Sequence, residues 1–302
     1  MARNLLSMQD LSKDEVLDIF RQADVLRNRA LANSEIKNSK IGGLLFFEPS
    51  TRTRIGFEVA SWKMGYKTVF LDETKPSIAK GWSESMPDTI RTLNASVDFY
   101  FIRHPDARVF DQILPYTTNP VINCGNGHDE HPSQALIDAY AMWTKFGQLD
   151  GLAITLIGDL RYSRSTHSLM KLLSKFTGIA VQELAPDELR LGSTYTKAFE
   201  KNGSYIRAQK ASWEDQQVVY SAGFPPINPS GTFPQSTVKR FAITKTIADL
   251  LPEESIILNP LPRIDEIEVE VDSSPKAYYF KQNELGLYVR MAIVQSYCGQ
   301  KK

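Results

Sequence analysis

Phe47-Glu48-Pro49-Ser50-Thr51-Arg52-Thr53-Arg54 stands directly behind the apolar run Leu44-Leu45-Phe46, and the reading of this junction decides the fold. An apolar run closed by Pro49 predicts a short buried strand, because proline cannot continue a strand ladder. Beyond it Phe57, Val59, Ala60 and Met64 continue as a helix, with Ser50 or Thr51 placed to cap its start. A helix start offers unpaired backbone N–H groups and about half a positive charge, so a phosphate fits there. Arg52 and Arg54 add planar guanidinium forks suited to phosphate oxygens. The octet therefore reads as an anion site; the plainer alternative is a capped surface helix with two solvated arginines.

The strand-then-helix pattern repeats outward from the octet. Ser12 and Glu15 form a capping box ahead of Val16, Leu17, Ile19, Phe20, Ala23 and Leu26, so the chain opens with an amphipathic helix. Strands are expected at 44–47, 68–71, 99–102 and 121–123, the last leading into a helix over 132–143. A second series follows, with strands at 153–157, 180–184, 205–209, 217–220 and 255–258, a helix over 165–176 and a last helix over 288–297. Alternation of this kind implies α/β architecture: two doubly wound parallel-sheet domains, with sites at the carboxyl ends of strands. The octet, Arg103 and His131 each fall just past such an end, which agrees with one shared cleft. The domain boundary is expected within the helix that starts near Pro132.

At 302 residues the chain has room for two domains of ordinary size. Its 35 basic residues balance 35 acidic ones, which gives no reason to expect nucleic acid or an anionic membrane as partner. Two cysteines, Cys124 and Cys298, provide neither a disulfide framework nor a zinc spacing, and a reducing cytoplasm is the simplest location. No apolar run approaches signal-peptide or membrane-span length.

The octet resembles the carbamoyl-phosphate motif of the aspartate and ornithine carbamoyltransferases, and further segments resemble that family in the same order. They are Arg103-His104-Pro105, His131-Pro132-Ser133-Gln134, the run from Gly158 to Ser168, Pro260-Leu261-Pro262-Arg263 and Tyr288-Val289-Arg290. The likeness spans nearly the whole chain and is greatest to the aspartate branch, since Leu261-Pro262-Arg263 follow Pro260 where the ornithine branch places a cysteine. It implies a carbamoyl-phosphate-binding domain over 1–132 plus a C-terminal helix over 286–302, an acceptor-binding domain over 133–285, and an active site between them.

The resemblance also implies roles. An amine attacks a carbonyl carbon that bears phosphate, with no cofactor and no metal. Ser50, Thr51, Arg52, Thr53 and Arg103 would hold the phosphate, with Thr53, Arg103 and His131 directed at the carbonyl oxygen. Gln134 would receive the carbamoyl nitrogen, the carbonyls of Leu261 and Pro262 would accept from the incoming amine and the carbamoyl nitrogen, and Arg164 would receive the acceptor α-carboxylate. The stretch from Pro76 to Glu84 is similar to the loop that the family inserts into a neighbouring subunit, so Ser77 and Lys80 would act in trans in a homotrimer.

One segment departs from the family. Where the aspartate branch has an arginine and a glutamine for the aspartate side chain, this chain has Gly223 and Pro225, flanking Phe224, and the ornithine signature is absent too. Asn259 stands where a histidine is usual. Three explanations stay open: Lys80 or Lys239 replaces the arginine, the acceptor is a different amine, or the chain is a catalytically silent binding homologue. L-aspartate, giving N-carbamoyl-L-aspartate and phosphate for pyrimidine biosynthesis, is the default acceptor.

Overall fold

The computed structural model describes residues 4–31, 40–72, 84–208, 210–224 and 233–299. The chain divides into two compact units, Met1–Ser133 with Gly286–Lys302, and Gln134–Leu285.

The first unit runs α1 (Lys13–Leu31), β1 (Ile41–Phe46), α2 (Thr51–Lys63), β2 (Lys67–Asp72), α3 (Met86–Leu93), β3 (Phe99–His104), α4 (Val109–Ile113) and β4 (Val121–Asn126). It also holds the start of α5 (Pro132–Phe146). Its four strands form one parallel sheet in the order β2-β1-β3-β4. Leu45, Tyr100, Ile102 and Val121 on the strands pack with Ile90, Val109 and Ile113 from the helices. Phe57 of α2 stacks on Phe101 at 4.4 Å between ring centroids. A parallel sheet needs helices over both faces, which is why β4 is buried along its whole length.

The second unit takes the rest of α5 and continues with β5 (Ala153–Gly158), α6 (Arg164–Leu173), β6 (Ala180–Leu184), α7 (Ser193–Phe199), β7 (Ser204–Arg207) and β8 (Val218–Gly223). It ends through α8 (Gln235–Arg240), α9 (Lys245–Leu250), β9 (Ile256–Leu258) and the first part of α10 (Tyr279–Ile293). Its parallel sheet has the order β7-β6-β5-β8-β9. Ile157, Val219, Ile243, Ile257 and Tyr279 form its core. In both sheets the winding direction reverses beside the first strand, between β1 and β3 and between β5 and β8. Such a switch point leaves a crevice at the carboxyl edge, where helices diverge to opposite faces.

The two parallel sheets are those expected, and the differences have local causes. β1 starts at Ile41 and not at 44, because Gly42 and Gly43 pair in the ladder. Among the described residues a bridge precedes the expected first helix: Leu5 pairs beside Ile122 of β4, and a 3-10 turn over Met8–Asp10 leads to α1. The capping box of α1 is present, with Glu15 N–H donating to Ser12 Oγ at 3.2 Å and Ser12 N–H to Glu15 Oε2 at 2.7 Å. The last helix begins at Tyr279 and not at 288, and it widens into a π turn over Val294–Cys298. The expected strand at 205–209 ends at Arg207, and Gln209 lies outside the described residues.

Gly42 faces the ring of Phe99, whose edge meets Tyr66 and Phe101. A Cβ at this position would lie 2.7 Å from Phe99 Cζ and closer still to Cε2. Gly42→Ala is expected to lower stability by about 1–3 kcal/mol, read as a lower urea midpoint at unchanged slope.

Candidate active site

In the first unit the ends of β1 and β3 are neighbours, and the Phe47 N–H donates to the Arg103 carbonyl at 2.9 Å. That rung sets the octet and Arg103 side by side at the carboxyl edge of the sheet. Ser50 occupies the N-cap of α2 in extended backbone, yet its side chain makes no capping hydrogen bond. The expected cap is thus a cap by position only, and Thr51 is the first helical residue. Thr51 is exposed, Arg52 is half-buried and Thr53 is buried. Burial holds the Arg52 guanidinium below its ordinary pKa, since desolvation penalises its charge. Arg54 turns to the opposite task and lies over the Phe70 ring at 4.4 Å.

Arg103 Nε sits 3.5 Å from Glu48 Oε2, so the octet supplies an acidic partner to the arginine beside it. His104 packs its ring on Phe47 at 5.2 Å, and its Nδ1 accepts from the Asp106 N–H at 2.9 Å. That bond fixes the turn through Pro105 immediately after Arg103. Burial lowers the His104 pKa from its ordinary 6.5, outweighing the opposing pull of Asp106. His131, buried ahead of Pro132, places Nε2 3.4 Å from Thr53 Oγ1 and Nδ1 3.3 Å from Ser133 Oγ. Two hydroxyls thus orient one imidazole at the start of α5. Arg290, buried on the part of α10 that belongs to this unit, lies behind α2 over the Phe57 ring. Burial pushes the thiols of Cys124 and Cys298 well up, which makes both poor nucleophiles at neutral pH.

In the second unit Gln134 is buried on α5 and donates through Nε2 to Asp138 Oδ1 at 2.7 Å. The same Oδ1 accepts from Gln282 Nε2 at 2.6 Å, and Asp138 Oδ2 accepts from the Tyr220 hydroxyl at 2.9 Å. Burial, and then the Asp138 charge, push the Tyr220 hydroxyl far above its ordinary pKa. Leu261 has φ 55, the one left-handed non-glycine among the described residues, and its N–H donates to Asn259 Oδ1 at 2.6 Å. Such a conformation persists where its surroundings over-determine it. Asn259 Nδ2 donates to the Ser221 carbonyl at 3.2 Å and to Glu266 Oε1 at 3.1 Å, while Glu266 Oε2 accepts from the Ile264 N–H at 2.8 Å. Pro262 is exposed at the tip of this turn.

Arg164 is the first residue of α6, one position earlier than expected, behind Ser163, whose hydroxyl caps Thr166 N–H at 3.2 Å. Gly158 and Gly223 close the bulged ends of β5 and β8, where the Asp159 N–H donates to the Gly223 carbonyl at 2.9 Å. At Gly223 φ is 76 and a Cβ would stand 2.9 Å from Glu266 Oε1. Phe224 is buried against Phe233 and Phe241 at 6.1 and 6.2 Å. Lys239 is exposed on α8. Ser77, Lys80 and Pro225 lie outside the described residues.

Sequence reasoning passed over Glu48, Asp138, Gln282 and Glu266. Glu48 and Asp138 lie within or beside the quoted motifs, but nothing in a linear pattern tells a buried acceptor from a solvated carboxylate. Gln282 had no signal at all, because the start of α10 was not recognised.

Known proteins place the chain. The family model described as "Aspartate/ornithine carbamoyltransferase, carbamoyl-P binding domain" matches residues 3–144, and the "Asp/Orn binding domain" of the same family matches 150–297. The aspartate carbamoyltransferase catalytic subunit of Methanococcus aeolicus is 36% identical over 309 aligned positions, which cover 97% of this chain and 95% of that one. Among solved structures, aspartate transcarbamoylase from Trypanosoma cruzi with carbamoyl phosphate and aspartate superposes with a TM-score of 0.90 at 30% identity, covering 98% of this chain and 95% of that one. The catalytic subunit of M. jannaschii aspartate transcarbamoylase gives 0.88 at 32% identity, with 98% and 99% covered. The chain belongs to the aspartate/ornithine carbamoyltransferase family. It is accordingly a carbamoyltransferase, and the relatives named above are all of the aspartate branch.

The His104 environment has a consequence for pH. Folding favours the neutral ring, so the stability it contributes is present above pH 6.5 and is lost as the pH falls below that value toward the lowered folded pKa. The urea midpoint is expected to drop between pH 7 and pH 5, and His104→Gln, which cannot titrate, should flatten that drop.

Proposed function

We propose that the chain transfers the carbamoyl group of carbamoyl phosphate to the amino group of L-aspartate, giving N-carbamoyl-L-aspartate and phosphate, as in pyrimidine biosynthesis. The observation that carries this reading is the approach of His131 Nε2 to Thr53 Oγ1, 3.4 Å, which brings two widely separated segments of the family motif to one point beside the start of α2. In this reading Ser50, Thr51, Arg52, Thr53 and Arg103 hold the phosphate. Thr53, Arg103 and His131 donate toward the carbonyl oxygen as it gains charge, the arrangement that lowers a barrier most effectively when the donors are fixed beforehand. Gln134 accepts from the carbamoyl –NH2, the Leu261 and Pro262 carbonyls accept from that group and from the incoming amine, and Arg164 pairs the α-carboxylate. The amine's lone pair forms the new C–N bond, the C–O bond to phosphate breaks, and the departing phosphate takes the proton. Ser77 and Lys80 complete the site from a neighbouring copy in a homotrimer of the cytoplasm, so an isolated protomer should be nearly inactive.

A second reading, an acceptor amine without a side-chain carboxylate, is favoured by one observation. Position 223 carries no carboxylate-binding side chain, and its positive φ together with Glu266 Oε1 2.9 Å from a Cβ would strain any that was added. Losing a charge-assisted pair costs about 2–5 kcal/mol, enough to weaken aspartate binding by decades unless another cation takes over.

The test is to incubate the protein with carbamoyl phosphate and L-aspartate, or a panel of other primary amines, measuring phosphate release above background and the mass of the product. Turnover with aspartate at ordinary millimolar concentrations is the expected result, turnover with another amine alone establishes the second reading, and binding of carbamoyl phosphate without turnover overturns both. His131→Ala is expected to raise the barrier by about 3–4 kcal/mol, a loss of roughly a hundred- to a thousandfold in kcat, with the thermal midpoint little changed.

A further inference from the structure

Asp138 lies one helical turn beyond Gln134 and is fully buried, with hydrogen bonds arriving from α5, β8 and α10. An ionised carboxylate can accept but not donate, so each partner must turn an N–H or O–H toward it. For a carboxamide that choice settles the opposite end. With Nε2 on Asp138, Gln134 directs Oε1 away from the helix turn as an acceptor. Gln282, held by the same oxygen, presents its own Oε1 to the Asn259 N–H at 3.0 Å. Asn259 in turn accepts from the Leu261 N–H at 2.6 Å, which holds Leu261 in its left-handed conformation.

We propose that Asp138 is a positioning residue for recognition of the carbamoyl –NH2, one buried carboxylate fixing the amide polarity of Gln134 directly and, through Gln282 on the Asn259 main chain, the placement of the Leu261 and Pro262 carbonyls. The inference rests on the proposed reading of those groups as acceptors. It goes beyond that reading by assigning their orientation to a residue that touches no substrate. Two glutamines could each be satisfied in either amide orientation on a neutral neighbour. The Asp138 charge removes that ambiguity for both, so Gln134 turns an acceptor outward and Gln282 turns one to the Asn259 N–H.

Acetyl phosphate keeps the phosphate and the carbonyl of carbamoyl phosphate and replaces –NH2 with methyl. The ratio of the two dissociation constants, measured by titration calorimetry on the assembled enzyme, therefore isolates recognition of the amide and cancels any general loss of fold or phosphate affinity. Asp138→Ala is expected to lower the preference for carbamoyl phosphate by about ten- to a hundredfold, the range for losing an aligned hydrogen-bonding set. Asn is a blunter probe, since it can keep its oxygen on the two glutamines and its nitrogen on Tyr220. Gln282→Leu, which cuts the link to Asn259 but leaves Asp138 in place, is expected to lower the preference less, and it carries the test if Asp138→Ala does not fold. Tyr220→Phe removes a bond to the same carboxylate without touching amide polarity, so it should reduce stability and leave the preference unchanged. An unchanged preference in both Asp138→Ala and Gln282→Leu, or an equal loss in Tyr220→Phe, overturns the inference. Gln134→Ala separates the two levels: if it lowers the preference while the Asp138 and Gln282 variants do not, the inference alone fails. A wild-type enzyme without preference, or one whose preference survives Gln134→Ala, overturns the acceptor reading and the inference with it.

Discussion

The rung between the Phe47 N–H and the Arg103 carbonyl is the constraint on which the proposed anion site depends. Antiparallel strands would send their exits to opposite edges of the sheet. Parallel pairing of β1 with β3 brings both exits to one edge, and the reversal of winding between them opens the crevice that helices vacate. The start of α2, the arginine near the end of β3 and its acidic partner Glu48 then share a locality. His131 joins them because β4, the next strand in the same sheet, ends at the same edge and leads to α5. The chemistry is assembled by main-chain hydrogen bonds, and the side chains are passengers on strands whose order fixes their neighbourhood.

Much of this was legible in the sequence, and the parts that were not share a physical reason. The strand ahead of Pro49, the helix beyond it and the repeated alternation reveal parallel sheets because apolar runs of strand length admit few alternatives. Gly42 and Gly43 concealed the start of β1, since glycine carries no side chain to signal burial. The N-terminal bridge at Leu5 and the early start of α10 at Tyr279 depend on contacts with distant parts of the chain, which no local period reports. Within the site, side chains on strand exits could be listed from the motif, but their partners could not. Asn259 is the sharpest case: it had no assigned purpose as a letter, and in three dimensions it braces the Leu261 turn from three directions.

The end of β8 shows how one residue type can be structurally committed. Gly223, which the family resemblance sets where an arginine is expected, has a positive φ and the Glu266 carboxylate close by, so the bulge is shaped for glycine. Phe224, the next residue, packs inward against two other phenyl rings and makes this end of the strand apolar. Glu266 meanwhile is engaged with Asn259 and the Ile264 N–H, so it serves the turn and is not offered to a ligand. Restoring a side chain at position 223 would require moving the same carboxylate that holds Asn259.

The ion pair between Arg103 and Glu48 gives the proposed phosphate site a resident carboxylate. A partly buried guanidinium left alone would carry a desolvation cost, and the carboxylate offsets it. In the proposed reading an incoming phosphate would meet an arginine already paired through Nε, so its binding would be a competition with a tethered anion of high effective concentration. On that reading the carboxylate would weigh most against weakly charged anions and act as a valence filter on entry.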